Sequence, residues 1–311
     1  MYNNNLIYFD FNFNNKINKY VSIILQGGLG NQLFQIATAY AYAKKYNKKL
    51  IFKYLDKFKN NYNLERKSFW YTLFNNKLNI LNNDEYDKIS FQLYNEIENY
   101  KWNDIPFFEE NVLLFGYYQS FIYLENENTT RDFLRHLVYS SEDYMYKSYN
   151  LYNDIKKYFK NISNIECEDD DIVSMHIRRT DYIYTPDNYH LVLDLKYYIE
   201  AQKITNKNNI VIFSDDIEWC KKNINSKIFH NDNINLYFVD INNVEVEFIL
   251  LSLIKHNIIA NSTFSLMASY ISYYSSKKII IAPKKWLSAS QENIYGNNIK
   301  QIYHKDISHI I

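Results

Sequence analysis

From about residue 172 onward the chain alternates short apolar runs with stretches of helical period, and that alternation constrains the fold more than any other feature. Residues 172–177 read as a strand, 195–204 as a helix, 209–213 as a strand ending in Ser214-Asp215-Asp216, and 217–224 as a helix. Further strands are expected over 236–239, 257–260 and 278–281, separated by helices over 244–256 and from the turn Asn261-Ser262-Thr263 to about Ser275. Near-continuous apolar runs have no polar face to turn to water, so helices must cover both faces of the sheet. That describes a parallel, doubly wound α/β domain, whose C-terminal strand ends share one edge and receive ligands there.

The strand over 172–177 ends in charge: His176-Ile177-Arg178-Arg179-Thr180-Asp181. Alternation puts His176 and Arg178 on one face and Arg179 on the other. Guanidinium groups present rigid forks of donors suited to phosphate oxygens, so the strand end reads as an anion site. The plainer alternative is an Arg179–Asp181 ion pair across a turn, with His176 as a core histidine. Further along this edge, Ser214, Asp240 and Ser262 follow other strands. Ser262 and Thr263 read as a helix N-cap that could also offer donors to phosphate. Glu247, at the start of an otherwise apolar helix, either complements the helix dipole or accepts hydrogen bonds from the N1–H and 2-amino groups of a guanine.

The first half carries a second signal. Residues 21–25 read as a strand, followed by Gln26-Gly27-Gly28-Leu29-Gly30-Asn31-Gln32, a helix over 33–46 and a strand over 49–52. Three of the five glycines in the chain fall in that loop. A glycine turn entering a helix exposes free N–H groups where the dipole favours phosphate. It is neither a Walker loop nor a dinucleotide fingerprint, since Lys and Ser/Thr do not follow Gly30 and a third spaced glycine is missing. The alternative is a turn that lets strand and helix pack closely. Between 53 and 165 the pattern is mixed, with a strand entering a turn at Leu113–Ser120 and a helix over 130–137 as the clearest elements.

With 311 residues the chain is long enough for two domains. We expect a variable arm over 1–20, a first domain over 21–167 and a second over 168–311, divided at the acidic run near 166–170. Lys plus Arg and Asp plus Glu are both 35, so no global field draws the protein to nucleic acid or an acidic membrane. Two cysteines, Cys167 and Cys220, are too few for a metal cluster or disulfide framework. The longest apolar run, 248–254, is broken by Ser252 and falls short of a bilayer span. No signal-peptide pattern opens the chain, so a cytoplasmic location is expected, and the sequons at Asn128, Asn161 and Asn261 are read as chance matches. Asp169 and Asp171 have the spacing of a metal-binding Asp-x-Asp, but they precede their strand, and a solvated acidic loop explains them better.

Taken together, Gly27–Gln35, Gly116–Ser120, His176–Tyr182, Phe213–Asp216 and Asn261–Ser265 resemble, in this order, the motifs of glycosyltransferase family 11, the α-1,2-fucosyltransferases. The resemblance spans about residues 21–283. More distantly, the His-x-Arg and glycine-loop elements are similar to those of core α-1,6-fucosyltransferases and protein O-fucosyltransferases. It implies a GT-B-like fold, two Rossmann-type domains facing across a cleft, with GDP-β-L-fucose as donor and a glycan hydroxyl, commonly the 2-OH of a galactoside, as acceptor. It implies inversion with neither metal nor cofactor. Arg178 would hold the β-phosphate and stabilise departing GDP, and Asn31 would reach the donor near the scissile bond. His176 and Glu247 would read guanine. Ser262 and Thr263 would bind phosphate, while Ser214, Gly28, Gly30, Arg179 and Asp181 complete the donor side, Asp181 by orienting Arg179 or a loop. The sequence departs from the family at Leu266-Met267-Ala268-Ser269, where two tryptophans and a small pair are usual. That departure keeps a catalytically silent sugar-nucleotide binder or assembly subunit as the alternative, and a metal-dependent transferase using Asp169 and Asp171 as a third reading.

Overall fold

The computed structural model describes residues 19–59, 65–74, 77–125, 129–184, 189–274 and 277–311. Most of the expected arm over 1–20, the sequon at Asn128 and the expected helix end at Ser275 lie outside the described residues. The first unit has the strands β1 (Tyr20–Ile23), β2 (Lys49–Leu50), β3 (Gln92–Asn95) and β4 (Val112–Phe115), all parallel in the order β2-β1-β4-β3. Helix α1 (Leu29–Lys45) joins β1 to β2. It starts at Leu29, earlier than the expected 33, so Gly30 and Asn31 belong to its first turn rather than to a loop. The expected strand over 49–52 divides: Ile51 N–H still bonds to Val21 of β1, but Phe52 N–H bonds to Asn79, and Phe52–Lys53 pairs with Ile80–Leu81. An antiparallel hairpin, Lys57–Lys59 against Glu65–Lys67, projects from this unit.

Two helices, α2 (Thr130–Tyr139) and α3 (Glu142–Ser163), precede the second sheet. That sheet comprises β5 (Ile172–Ile177), β6 (Asn209–Ser214), β7 (Asn235–Phe238), β8 (His256–Ile258), β9 (Ile280–Ala282) and β10 (His309–Ile310). All pairs are parallel and the order is β7-β6-β5-β8-β9-β10. The connecting helices include α4 (Leu195–Thr205), α5 (Ile217–Asn223), α6 (Val244–Leu253) and α7 (Thr263–Ile271). The chain winds outward from β5 through β6 to β7, then returns to place β8 on the other side of β5. The switch of direction therefore lies between β5 and β8, where the crevice of a doubly wound sheet opens. Strand alternation divides the side chains between two cores. Ile172, Val211 and Phe213 join the larger core, whereas Val173, Met175, Ile177, Ile210 and Ile212 join the smaller one on the opposite face.

The larger core is continuous from β1 through α1 and α7 to α6, so the two units are packed together beneath the cleft. Helix α3 lies before residue 168 yet packs on α6 of the second unit, its Ser148 hydroxyl donating to the Val246 carbonyl at 3.1 Å. The acidic run forms a short 3₁₀ turn, Asp169–Asp171, and it is tied down rather than simply solvated. Asp169 accepts from Tyr152, Lys156 and Tyr274, and Asp170 from Lys207, Lys255 and His256. Among the described residues no group of His, Cys, Asp and Glu side chains is placed to hold a metal ion, and no helix is long and apolar enough to cross a membrane. Asn261 is buried and its amide donates to the Leu191 and Trp286 carbonyls, both at 2.8 Å, so this sequon serves packing.

Gly30 sets how closely the units approach. A Cβ there would lie 2.4 Å from the Thr263 carbonyl carbon and oxygen, far inside contact distance. We expect Gly30→Ala to force α1 off α7 and cost about 1–3 kcal/mol, a melting-temperature drop of several degrees. Gly28→Ala, whose Cβ meets nothing within 4 Å, should shift it much less in the same thermal scan.

Candidate active site

The strand ends of the second sheet and the N-terminus of α1 border one cleft of roughly 720 Å³. β5 delivers His176 and Arg178 to it. His176 is buried, with Nδ1 at 2.9 Å from the Ser265 hydroxyl on α7. Burial and then the charge of Arg178 push its pKa down to about 3, so the imidazole is neutral. Arg178 is held by a fork: Nε and one amino group donate to the two Asp181 oxygens at 3.0 and 2.8 Å. Asp215 also approaches Nε, at 3.3 Å. Burial works against the guanidinium charge, but Asp215 and Asp181 more than offset it and hold Arg178 protonated.

Burial likewise pushes the Asp181 carboxyl up, while Arg178 and Arg66 outweigh that and leave it below its ordinary range. Arg66 comes from the hairpin of the first unit and reaches Asp181 at 3.2 Å. Asp215 also accepts from the Arg179 and Thr180 backbone N–H groups at 2.9 and 3.0 Å, which fixes the turn that aims Arg178. Ser214 borders the cleft, and its hydroxyl accepts from the Asp216 N–H at 3.0 Å.

Two helix N-termini face the same space. Ser262 caps α7, its hydroxyl accepting from the Phe264 N–H at 3.3 Å. Gly28 occupies the N-cap of α1 in extended conformation, with open space where a side chain would stand. The Asn31 carbonyl oxygen accepts from Gln119 and from the Thr263 hydroxyl, both at 2.7 Å. Those bonds fix the Asn31 amide, and its Nδ2 lies against Gly27, where a Cβ would come within 2.2 Å. Gly27 has φ +73°, so both its backbone and its missing side chain are required.

Glu247 borders the cleft from the first turn of α6. Its carboxyl is pushed up to about 8 by burial, then by the Asp215 and Asp240 charges. Arg179 is the sequence-expected site residue that the cleft does not contain. Its guanidinium lies 3.6 Å from the centre of the Trp219 ring and bonds Asp216 at 3.1 Å, on the face that strand alternation assigned to it. Neither the expected Arg179–Asp181 pair nor an Asp181 that orients Arg179 is present: Asp181 orients Arg178. Gly30 borders the cleft and also meets the Thr263 backbone, so its missing side chain serves helix approach. Sequence reasoning missed Asp215, Gln119 and Arg66. The first two lay in motifs already singled out, whereas Arg66 sits in an unpatterned stretch that gave no signal.

The family model described as Glycosyl transferase family 11 matches residues 20–306. The chain belongs to this family. It is 29% identical over 309 residues to the O-antigen biosynthesis glycosyltransferase WbnK of Escherichia coli, covering 86% of this chain and 95% of that protein. An alpha-1,2-colitosyltransferase of Escherichia coli is 37% identical over 129 residues, 40% of this chain and 43% of that one. Among solved structures, a GDP complex of a mutant Arabidopsis thaliana FUT1 is similar at TM-score 0.48 and 12% identity, over 84% of this chain and 70% of that one. Fucosyltransferase NodZ from Bradyrhizobium is similar at TM-score 0.46 and 13% identity, over 81% and 92%. The structure has the two parallel α/β units bordering one cleft that the resemblance implied, and the family makes the protein a glycosyltransferase.

This family member replaces the usual tryptophan pair of α7 with Leu266 and Met267, both fully buried. Farther along the helix the Phe121 ring lies 4.6 Å from Tyr270 and 5.0 Å from His304, and the Ser269 hydroxyl is 3.1 Å from the His304 ring.

The raised Glu247 carboxyl predicts a pH-dependent stability. Between its ordinary 4.5 and about 8 the folded state keeps a proton that the unfolded state has released, so the wild type loses stability as pH rises through that window. Glu247→Gln carries no such loss. Its melting temperature relative to wild type should therefore rise between pH 5 and about pH 8 and then level off.

Proposed function

We propose that this transferase moves L-fucose from GDP-β-L-fucose to a glycan hydroxyl with inversion, forming an α-1,2 linkage to a galactoside, and that it needs no metal ion. The convergence of Arg178, two helix N-termini and Glu247 on one cleft carries this reading. The cost of the reaction is charge building on the diphosphate as the sugar leaves. Arg178, already aimed by Asp181 and Asp215, and the N–H groups at Ser262 and Thr263 meet that charge without reorganising. Asn31, with its carbonyl pinned, keeps Nδ2 for the donor near the scissile bond, and Gly28 leaves room for close approach.

Glu247 suits guanine because N1–H and the 2-amino group together favour the ionised carboxylate that accepts from both, so binding would release the proton that the free protein holds, and His176, neutral with Nδ1 committed to Ser265, keeps Nε2 for the base. Asp181 contributes by orienting Arg178, both of its oxygens accepting from that guanidinium. The identity with an alpha-1,2-colitosyltransferase over 129 residues favours a second reading, in which the sugar moved is colitose. Turnover of GDP-fucose and GDP-colitose side by side, with product linkage assigned by NMR and EDTA present, decides between them. Failure to turn over either, with EDTA or with added divalent metal, would support the silent-binder alternative, whereas turnover only with metal would support the metal-dependent reading.

Arg178→Lys keeps the charge but loses the fork. Transfer should fall roughly a hundredfold, from a loss of about 3 kcal/mol, in kcat more than in KM. Steady-state kinetics on the folded variant check this, and near wild-type turnover removes Arg178 from the mechanism. The nucleobase assignment predicts that GDP inhibits far better than ADP or UDP, and that Glu247→Ala erodes the preference. Equal competition by the three nucleotides against wild type would refute it.

A further inference from the structure

Arg178 is outnumbered where it stands. Asp181 and Asp215 both lie against its guanidinium, so an incoming diphosphate would meet two carboxylates and one cation. Arg66 corrects that balance from across the cleft. It borders the same space, and one of its amino groups donates to the Asp181 oxygen that Arg178 also uses. Two guanidiniums then face two carboxylates, and a guanidinium carries five donors, of which this bond uses one. The segment is anchored immediately beyond Arg66: the Lys67 carbonyl accepts from Gln32 of α1 at 3.0 Å, and the Lys67 ammonium pairs with the buried Glu245 of α6 at 2.8 Å. That anchoring bridges both units, so the position of Arg66 over Arg178 is held by the fold rather than by its own long side chain. Lys67 is committed to Glu245, whereas Arg66 borders the cleft with donors to spare.

We propose that Arg66 is the second guanidinium of the diphosphate site, a donor-binding residue supplied by the first unit that engages the β-phosphate together with Arg178. The inference rests on the nucleoside-diphosphate reading of the cleft. Arg66 would trade its shared bond to Asp181 for phosphate oxygens, while Asp181 continues to aim Arg178.

Titration calorimetry of the full chain with guanosine, GMP and GDP tests it in wild type, Arg66→Ala and Arg66→Lys. Arg66→Ala should weaken GDP on the order of tenfold to a hundredfold, as expected for a charge-assisted contact, while guanosine and GMP bind as in wild type. Arg66→Lys should fall between, because charge returns without the fork. Unchanged nucleoside binding also shows that the variant is folded. The inference is overturned if Arg66→Ala binds GDP as wild type does, or if it loses guanosine, GMP and GDP in equal proportion, which is the mark of a structural ion pair. If the wild type binds none of the three, the nucleotide reading itself falls and this inference falls with it.

Discussion

Everything at the site depends on how closely two helix N-termini can approach. α1 belongs to the first unit and α7 to the second, yet the Gly30 backbone lies against the Thr263 backbone with no room for a methyl group. That contact lets the Thr263 hydroxyl reach the Asn31 carbonyl oxygen, which in turn holds the Asn31 amide at the edge of the cleft. Two positive dipole ends then point at one space. The continuous apolar core beneath them supplies the cohesion, since burial is non-directional and needs only that the units meet. Direction comes from the few polar bonds and from the absent side chains of Gly27 and Gly30.

The electrostatic design follows from that placement. Carboxylates are used to aim cations, and one of them is left uncompensated where a neutral or hydrogen-bonding partner is wanted. Asp181 and Asp215 clamp Arg178, and Asp215 also fixes the turn beneath it through two backbone N–H groups. Glu247 has no cationic partner driving its titration, and the neighbouring Asp215 and Asp240 push its carboxyl further up. A fork-held guanidinium loses little freedom when it meets an oxyanion, so the cost of ordering is met in folding rather than during the reaction. Leu266 and Met267, which stand where the family usually has tryptophans, are buried in the core, while the residues that precede them border the cleft.

The sequence by itself determined the second sheet and the strand that carries His176 and Arg178. Apolar runs of β-length allow no other covered arrangement, and the edge at which their C-terminal residues gather follows from parallel winding. It also determined, through alternation, that Arg178 and Arg179 part company, although grouping both with the donor side set that rule aside. Tertiary structure alone decided which partner each charge takes. Arg178 is three residues from Asp181 but shares it with Arg66, which lies 115 residues from that aspartate in sequence. The short strand over 49–52 was divided between two sheets by neighbours that local pattern cannot see. That Gly30 must be a glycine for α1 to pass α7 became visible only once α7 was placed beside it. Local sequence encodes which faces must be buried; which charges meet, and how closely two backbones may pass, are properties of segments that come together only when the chain has folded.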